Sequence, residues 1–153
     1  MSGLSHLDDS GAARMVDVAG RDVTVRTAVA SGRVVTTAAS AIADGSVPKG
    51  DVLATARIAG IMAAKRTPDL IPMCHPIAVH GVTVDLAVVD GGVDIRVTVK
   101  TADRTGVEME ALTAVSVAAL TVIDMTKSLD PAGTITDVRV EEKTGGRSGE
   151  WAR

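Results

Sequence analysis

The chain has 153 residues, enough for one domain with a buried core. Sixteen Lys and Arg against nineteen Asp and Glu leave a formal charge of −3, which argues against a general nucleic-acid binder but leaves room for local cations around a phosphorylated small molecule. With no Phe, no Tyr and one Trp, the core must come from Val, Ala, Ile, Leu and Met, and the single Cys excludes an intrachain disulfide and fits a reducing cytoplasm.

The opening MSGLSHLDDSG is polar and acidic, not basic and then apolar, so it lacks the pattern of a signal peptide. No run reaches the ~18 uninterrupted apolar residues of a membrane span. Residues 1–14 read as a flexible N-terminal tail, because Asp8, Asp9, Ser10 and Gly11 disfavour regular structure. The apolar patch at 15–18 suits an edge strand or a cover for a neighbouring subunit. Val23 and Val25 begin a strand, Ser31-Gly32 is expected to turn the chain, and Val34-Val35 forms the next extended piece. Residues 37–44 fit a short helix ending at Gly45.

Asp51 can cap a helix expected to run to about Arg66, where Thr67-Pro68 should end it. Small residues at 54, 56, 59, 60, 63 and 64 allow that helix a close approach to its neighbours. Val82, Val84, Leu86 and Val88 alternate with polar positions, and after Asp90-Gly91-Gly92 the alternation resumes at Val93, Ile95, Val97 and Val99. This predicts an antiparallel hairpin with one core face and one polar face. Thr105-Gly106-Val107-Glu108 has the spacing of a capping box ahead of a long apolar helix. The last strand falls within 134–141, with Ile135 and Val138 out of period, so a bulge or a kink is expected there. Together these elements predict an α+β sandwich with helices on one face of an antiparallel sheet. A single catalytic domain over 15–143 and a Gly-rich C-terminal tail over 144–153 complete the organisation.

Chemistry concentrates in two stretches, 48–75 and 106–127, read as the halves of one site. Lys49, beside Gly50 at the mouth of a helix, is either a solvated loop lysine or an anion contact. Asp124 and Lys127, three residues apart, are either an ordinary helical ion pair or a lysine tuned for proton transfer. Glu108 and Glu110 point about 160° apart around a 3.6-residue helix, so one can cap while the other enters a pocket. Cys74 and His75 lack the geometry of a nucleophile and its base, and one Cys with three scattered His is no zinc set. His75 is the better candidate for hydrogen bonding or proton transfer, with Cys74 shaping the pocket. The run 143–149, KTGGRSG, has the donors of a phosphate cradle, though alone it also reads as a solvated tail.

The stretches KGDVLATARIAGIMAAKRTPDLIPMCHP, TGVEMEALTAVSVAALTVIDMTK and EEKTGGRSG, with MVDV at 15–18, resemble the cyclic pyranopterin monophosphate synthase family of molybdenum-cofactor biosynthesis. The resemblance spans nearly the whole chain. It implies a ferredoxin-like α+β subunit, an antiparallel sheet with helices on one face, in a cytoplasmic homohexamer with active sites at subunit interfaces. It also implies conversion of (8S)-3′,8-cyclo-7,8-dihydroguanosine 5′-triphosphate to cyclic pyranopterin monophosphate with release of pyrophosphate. By motif position, the catalytic aspartate falls on Asp124 and the essential lysines on Lys49 and Lys127. The substrate-contacting segments fall on Met73, Cys74 and His75 and on Met109 and Glu110, with Glu108 close by and Arg26 and Lys143 supporting phosphate or pocket charge. No cofactor or dedicated metal is required, Mg2+ being expected only with the substrate triphosphate, and neither nucleic acid nor membrane is a partner. Arg14 stands where many relatives have His, Met73 where Leu is common, and Ile123 where an aromatic residue often precedes the aspartate. Two other readings compete, a non-catalytic anion- or nucleotide-binding oligomeric module and a structural oligomerisation protein.

Overall fold

The computed structural model describes residues 6–153, in the order β1 (Thr24–Val35), α1 (Ala39–Asp44), α2 (Val52–Leu70), β2 (Gly81–Val89), β3 (Gly92–Asp103), α3 (Glu108–Thr126), β4 (Thr134–Thr144) and β5 (Trp151–Ala152). The strands form one antiparallel sheet in the order β2-β3-β1-β4-β5, and α2 and α3 lie on one face of it. This is the α+β, ferredoxin-like arrangement that the sequence predicts. The hairpin β2-β3 falls in the expected register, with Val84, Val93, Ile95, Val97 and Val99 buried beneath the helices. Asp85 and Arg96 face each other on the open side. Although α3 is long and apolar enough to cross a membrane by length and composition, it is the core helix, fully burying Ala111, Ala114, Val115, Ala118, Ala119 and Val122.

Three local expectations are corrected. The turn expected at Ser31-Gly32 is absent, because β1 runs straight through it. Gly32 is there for proximity. A Cβ on it would lie 2.7 Å from Val115 Cγ1 of α3, and opposite it β4 bulges at Asp137, the only non-glycine residue with positive φ (+56°) among those described. The bulge lies where the aperiodic Ile135 and Val138 placed it.

Helix α2 does not stop before Pro68 but carries it inside and ends at Leu70. Proline leaves the Ala64 carbonyl without its usual amide donor. The Thr67 hydroxyl supplies one instead, donating to the Ala63 and Ala64 carbonyls at 3.1 Å each. The capping box is also not formed: the N-cap of α3 is Val107, with no side-chain cap bond, and Thr105 lies two residues before that N-cap. Val107 is 1% exposed, and its burial sets where the helix begins. Glu108 is therefore the first helical residue and Glu110 the third. The N-terminal cap of α2 forms as predicted, with Asp51 Oδ1 accepting from the Ala54 amide at 3.0 Å.

The helices approach closely because their contact residues are small. A Cβ on Gly60 of α2 would sit 3.2 Å from the Ala114 carbonyl oxygen of α3. At the ends of the chain, Leu7 and Ala13 form an isolated antiparallel bridge, and Trp151–Ala152 returns to pair with β4.

Candidate active site

The short loop after α1 brings Lys49 to the C-terminal turn of α3. There its Nζ donates to the Asp124 carbonyl oxygen at 2.9 Å and to Asp124 Oδ2 at 3.2 Å, while Lys127 Nζ donates to Asp124 Oδ1 at 2.7 Å. Both cations sit at the negative end of the helix dipole. The two ammonium groups, Lys127 first and Lys49 second, hold the Asp124 carboxyl below the usual aspartate range. All three side chains are open to solvent, at 44% for Lys49, 57% for Asp124 and 60% for Lys127. The desolvation that would tune Lys127 is therefore not supplied by this chain alone.

The N-terminal end of α3 carries a second cluster. Glu110 is 1% exposed, its Oε1 accepts from the Cys74 thiol at 3.4 Å, and its Oε2 has no partner among the described residues. Burial pushes the Glu110 carboxyl up, and burial together with the neighbouring Glu110 pushes the Cys74 thiol up to about 12, so Cys74 stays a protonated donor and not a nucleophile. His75 Nε2–H donates to the Val16 carbonyl at 2.6 Å, anchoring the apolar patch at 15–18. Met109 is exposed beside them, and Met73 is half-buried.

A carboxyl whose folded-state value is raised contributes stability below its unfolded value and loses it as pH rises through the folded one. Glu110→Gln is therefore expected to raise Tm relative to the parent chain, by more at pH 8 than at pH 5. Thermal melts across that range check it.

At the start of α3, a polar cleft of 280 Å³ is lined by Arg21, Arg26, Glu108, Lys143, Arg147 and residues 144–145. Arg26 donates to the Asp103 and Arg104 carbonyls at 3.2 and 3.3 Å, and among the described residues no carboxylate pairs with it. Lys143 Nζ lies 3.5 Å from Glu108 Oε1 and donates to Ser148 Oγ at 3.2 Å. Gly145 and Gly146, at φ +88° and +77°, fold the KTGGRSG run over this cleft. A side chain on Gly145 would meet the Val25 carbonyl, and one on Gly146 the Arg26 guanidinium. The run read as either cradle or tail is thus a wall of the cleft. Sequence reasoning missed Arg21, which no motif marks and which only the fold brings beside Arg26. A larger groove of 530 Å³ on the open sheet face is lined by Arg33, paired with Asp94 at 2.6 Å, by Arg139, paired with Glu141 at 2.9 Å, and by Arg96.

The two clusters do not meet within one chain. Glu108 and Asp124 are 16 residues apart on one straight helix, which places them about 24 Å from each other. Among the described residues, no group of three His, Cys, Asp or Glu side chains is arranged to hold a metal ion.

A ferredoxin-like α+β fold with a Lys–Asp–Lys cluster at one end of α3 and a cationic cleft at the other defines a class of protein with titratable groups and anion-compatible charge on one chain. The chain belongs to the MoaC family, whose profile matches residues 15–146. It is 68% identical to the cyclic pyranopterin monophosphate synthase of Streptomyces avermitilis, over 98% of this chain and 89% of that one. It is 64% identical to the synthase of Nocardioides sp., over 98% and 95%, and 59% identical to cyclic pyranopterin monophosphate synthase 2 of Mycobacterium tuberculosis, over 98% and 91%.

Proposed function

We propose that this chain is a cyclic pyranopterin monophosphate synthase, converting (8S)-3′,8-cyclo-7,8-dihydroguanosine 5′-triphosphate to cyclic pyranopterin monophosphate and pyrophosphate in molybdenum-cofactor biosynthesis. One observation carries the reading: Lys49 and Lys127, 78 residues apart in sequence, both donate to Asp124. Rearranging the dihydropurine into a pyran-fused pterin requires several proton transfers, and two lysines bound to one carboxylate can exchange those protons in turn. Asp124 orients both ammonium groups and takes part in the hydrogen bonding as each proton leaves or returns. In the cyclisation a sugar hydroxyl loses its proton as its oxygen bonds to the α-phosphorus and the bond from that phosphorus to the bridging oxygen breaks, and pyrophosphate leaves with the electron pair and takes up a proton. Arg26, Lys143, Arg21 and Arg147 carry the charge to bind the triphosphate and stabilise that departure. Cys74, His75, Met73, Met109 and Glu110 form the wall against the base.

Separation of the two clusters by about 24 Å along α3 supports a site completed between copies, in a homohexamer acting in the cytoplasm. Exposed Met15, Ile58, Met62 and Leu120 offer apolar surface for a second copy to cover. The contact of Lys49 with Asp124 disfavours a non-catalytic binding module, which would leave Lys49 remote from that carboxylate. The polar cleft disfavours a purely structural oligomer. Incubating the freshly prepared cyclised nucleotide with the purified protein, and following pterin and pyrophosphate together, tests the reading. Equimolar appearance of both products is expected, and tight binding with neither would overturn it.

A further inference from the structure

Six residues beyond Asp124, on the loop between α3 and β4, Asp130 is 9% exposed and among the described residues pairs with no cation. Its Oδ2 accepts from the Thr36 hydroxyl at 2.7 Å and the Thr37 amide at 3.0 Å, and its Oδ1 accepts from the Ala132 amide at 3.0 Å. The Thr36 oxygen in turn accepts from the Ala38 amide at 3.1 Å, at the start of α1. These bonds hold its carboxyl low, with the Thr36 bond foremost. Burying an anion against neutral donors alone is costly unless each oxygen is satisfied, and here each is.

The carboxylate therefore ties the loop that follows Lys127 to the first residues of the segment 36–49. That segment runs through α1 and Gly45 to the buried Val47 and delivers Lys49. Two halves of the Lys49–Asp124–Lys127 cluster, 75 residues apart at Lys49 and Asp124, leave from the two sides of one hydrogen-bonded junction.

We infer that Asp130 is a positioning residue for the reaction, fixing residues 36–49 against the end of α3 so that Lys49 reaches Asp124. It touches no substrate. Its role rests on the proposed function for its kinetic effect but not for its structural one, and the two are separable by experiment. Asp130→Ala should lower kcat about tenfold or more with little change in KM, because a misplaced lysine loses proton transfer and not substrate contact. Independently of turnover, the Asp124 carboxyl should titrate at higher pH in Asp130→Ala, read by NMR on protein labelled with 13C at the aspartate carboxyls. The charged groups in contact with that carboxyl are Lys49 and Lys127, and the variant loosens only the first. The shift should consequently vanish when Asp130→Ala is placed in a Lys49→Ala background. Thr36→Val, which keeps the side-chain shape and removes the donor, should move the titration in the same direction by less, and it serves if Asp130→Ala does not fold.

An Asp124 titration unmoved by both variants, or moved equally with and without Lys49, overturns the inference and leaves Asp130 as a loop anchor only. A moved titration with unchanged kcat would keep the contact role but remove its part in the reaction, and would count against the proposed roles of Lys49 and Asp124.

Discussion

Lys127→Ala is expected to lower kcat on the order of 10²–10⁴-fold, the range a positioned acid–base group contributes. The loss has two parts, since Lys127 supplies a proton-transfer group and is the largest influence holding the Asp124 carboxyl low. Lys127→Arg separates them. An arginine keeps the charge beside Asp124 but does not give up its proton in a protein, so it should restore the low Asp124 titration without restoring turnover. Asp124→Asn should cost as much as either lysine, because the amide offers one acceptor oxygen where the carboxylate offers two, and both ammonium groups use them at 2.7 and 3.2 Å. Single-turnover rates across the three variants decide the matter, and near-normal turnover by Lys127→Arg would reduce that lysine to an electrostatic role.

Mixing two inactive variants should recover activity. Lys127→Ala disables the C-terminal end of α3, while a double change of Arg26→Ala and Lys143→Ala disables the cationic cleft at the other end. If each site takes one end from each of two copies, unfolding and reassembling the variants together at equal amounts should leave about one quarter of sites with both halves intact. Either variant reassembled alone should stay inactive. Failure of the mixture to exceed the separate variants, with mixed oligomers demonstrated by a mass tag, would mean that every site is built from one chain. The two clusters would then have to be brought together by a rearrangement of α3 itself. The orphan Glu110 Oε2, which no described residue of the same chain satisfies, favours the shared site.

Much of this arrangement is legible in the residues. The alternation of Val82 to Val88 and Val93 to Val99 determines the hairpin and its buried face, because a period of two admits only one register that keeps the branched side chains dry. Asp51 caps α2, Gly45 ends α1 in the left-handed conformation at φ +76°, and the broken period at Ile135 and Val138 announces the bulge. The spacing of Asp124 and Lys127 was enough to pair them. Motif resemblance, not periodicity, supplied Lys49 as their third member.

What the residues in order did not determine were the points where a distant contact overrules a local preference. Ser31-Gly32 reads as a turn, yet it continues as strand because α3 needs a residue without a side chain beneath Val115. Pro68 reads as a helix end, yet Thr67 satisfies the carbonyl that proline leaves open. The capping box at Thr105 loses to burial of Val107. Arg21 reaches the cationic cleft, and Asp130 reaches Thr36, only through the return of chain segments that share no motif. Local propensities are worth about 1 kcal/mol each, and the sequence by itself therefore determined the β2-β3 hairpin, the two long helices and the residue types of the site. The tertiary structure decided which of those residues meet, because core burial and satisfied buried polar groups outweigh any single local signal.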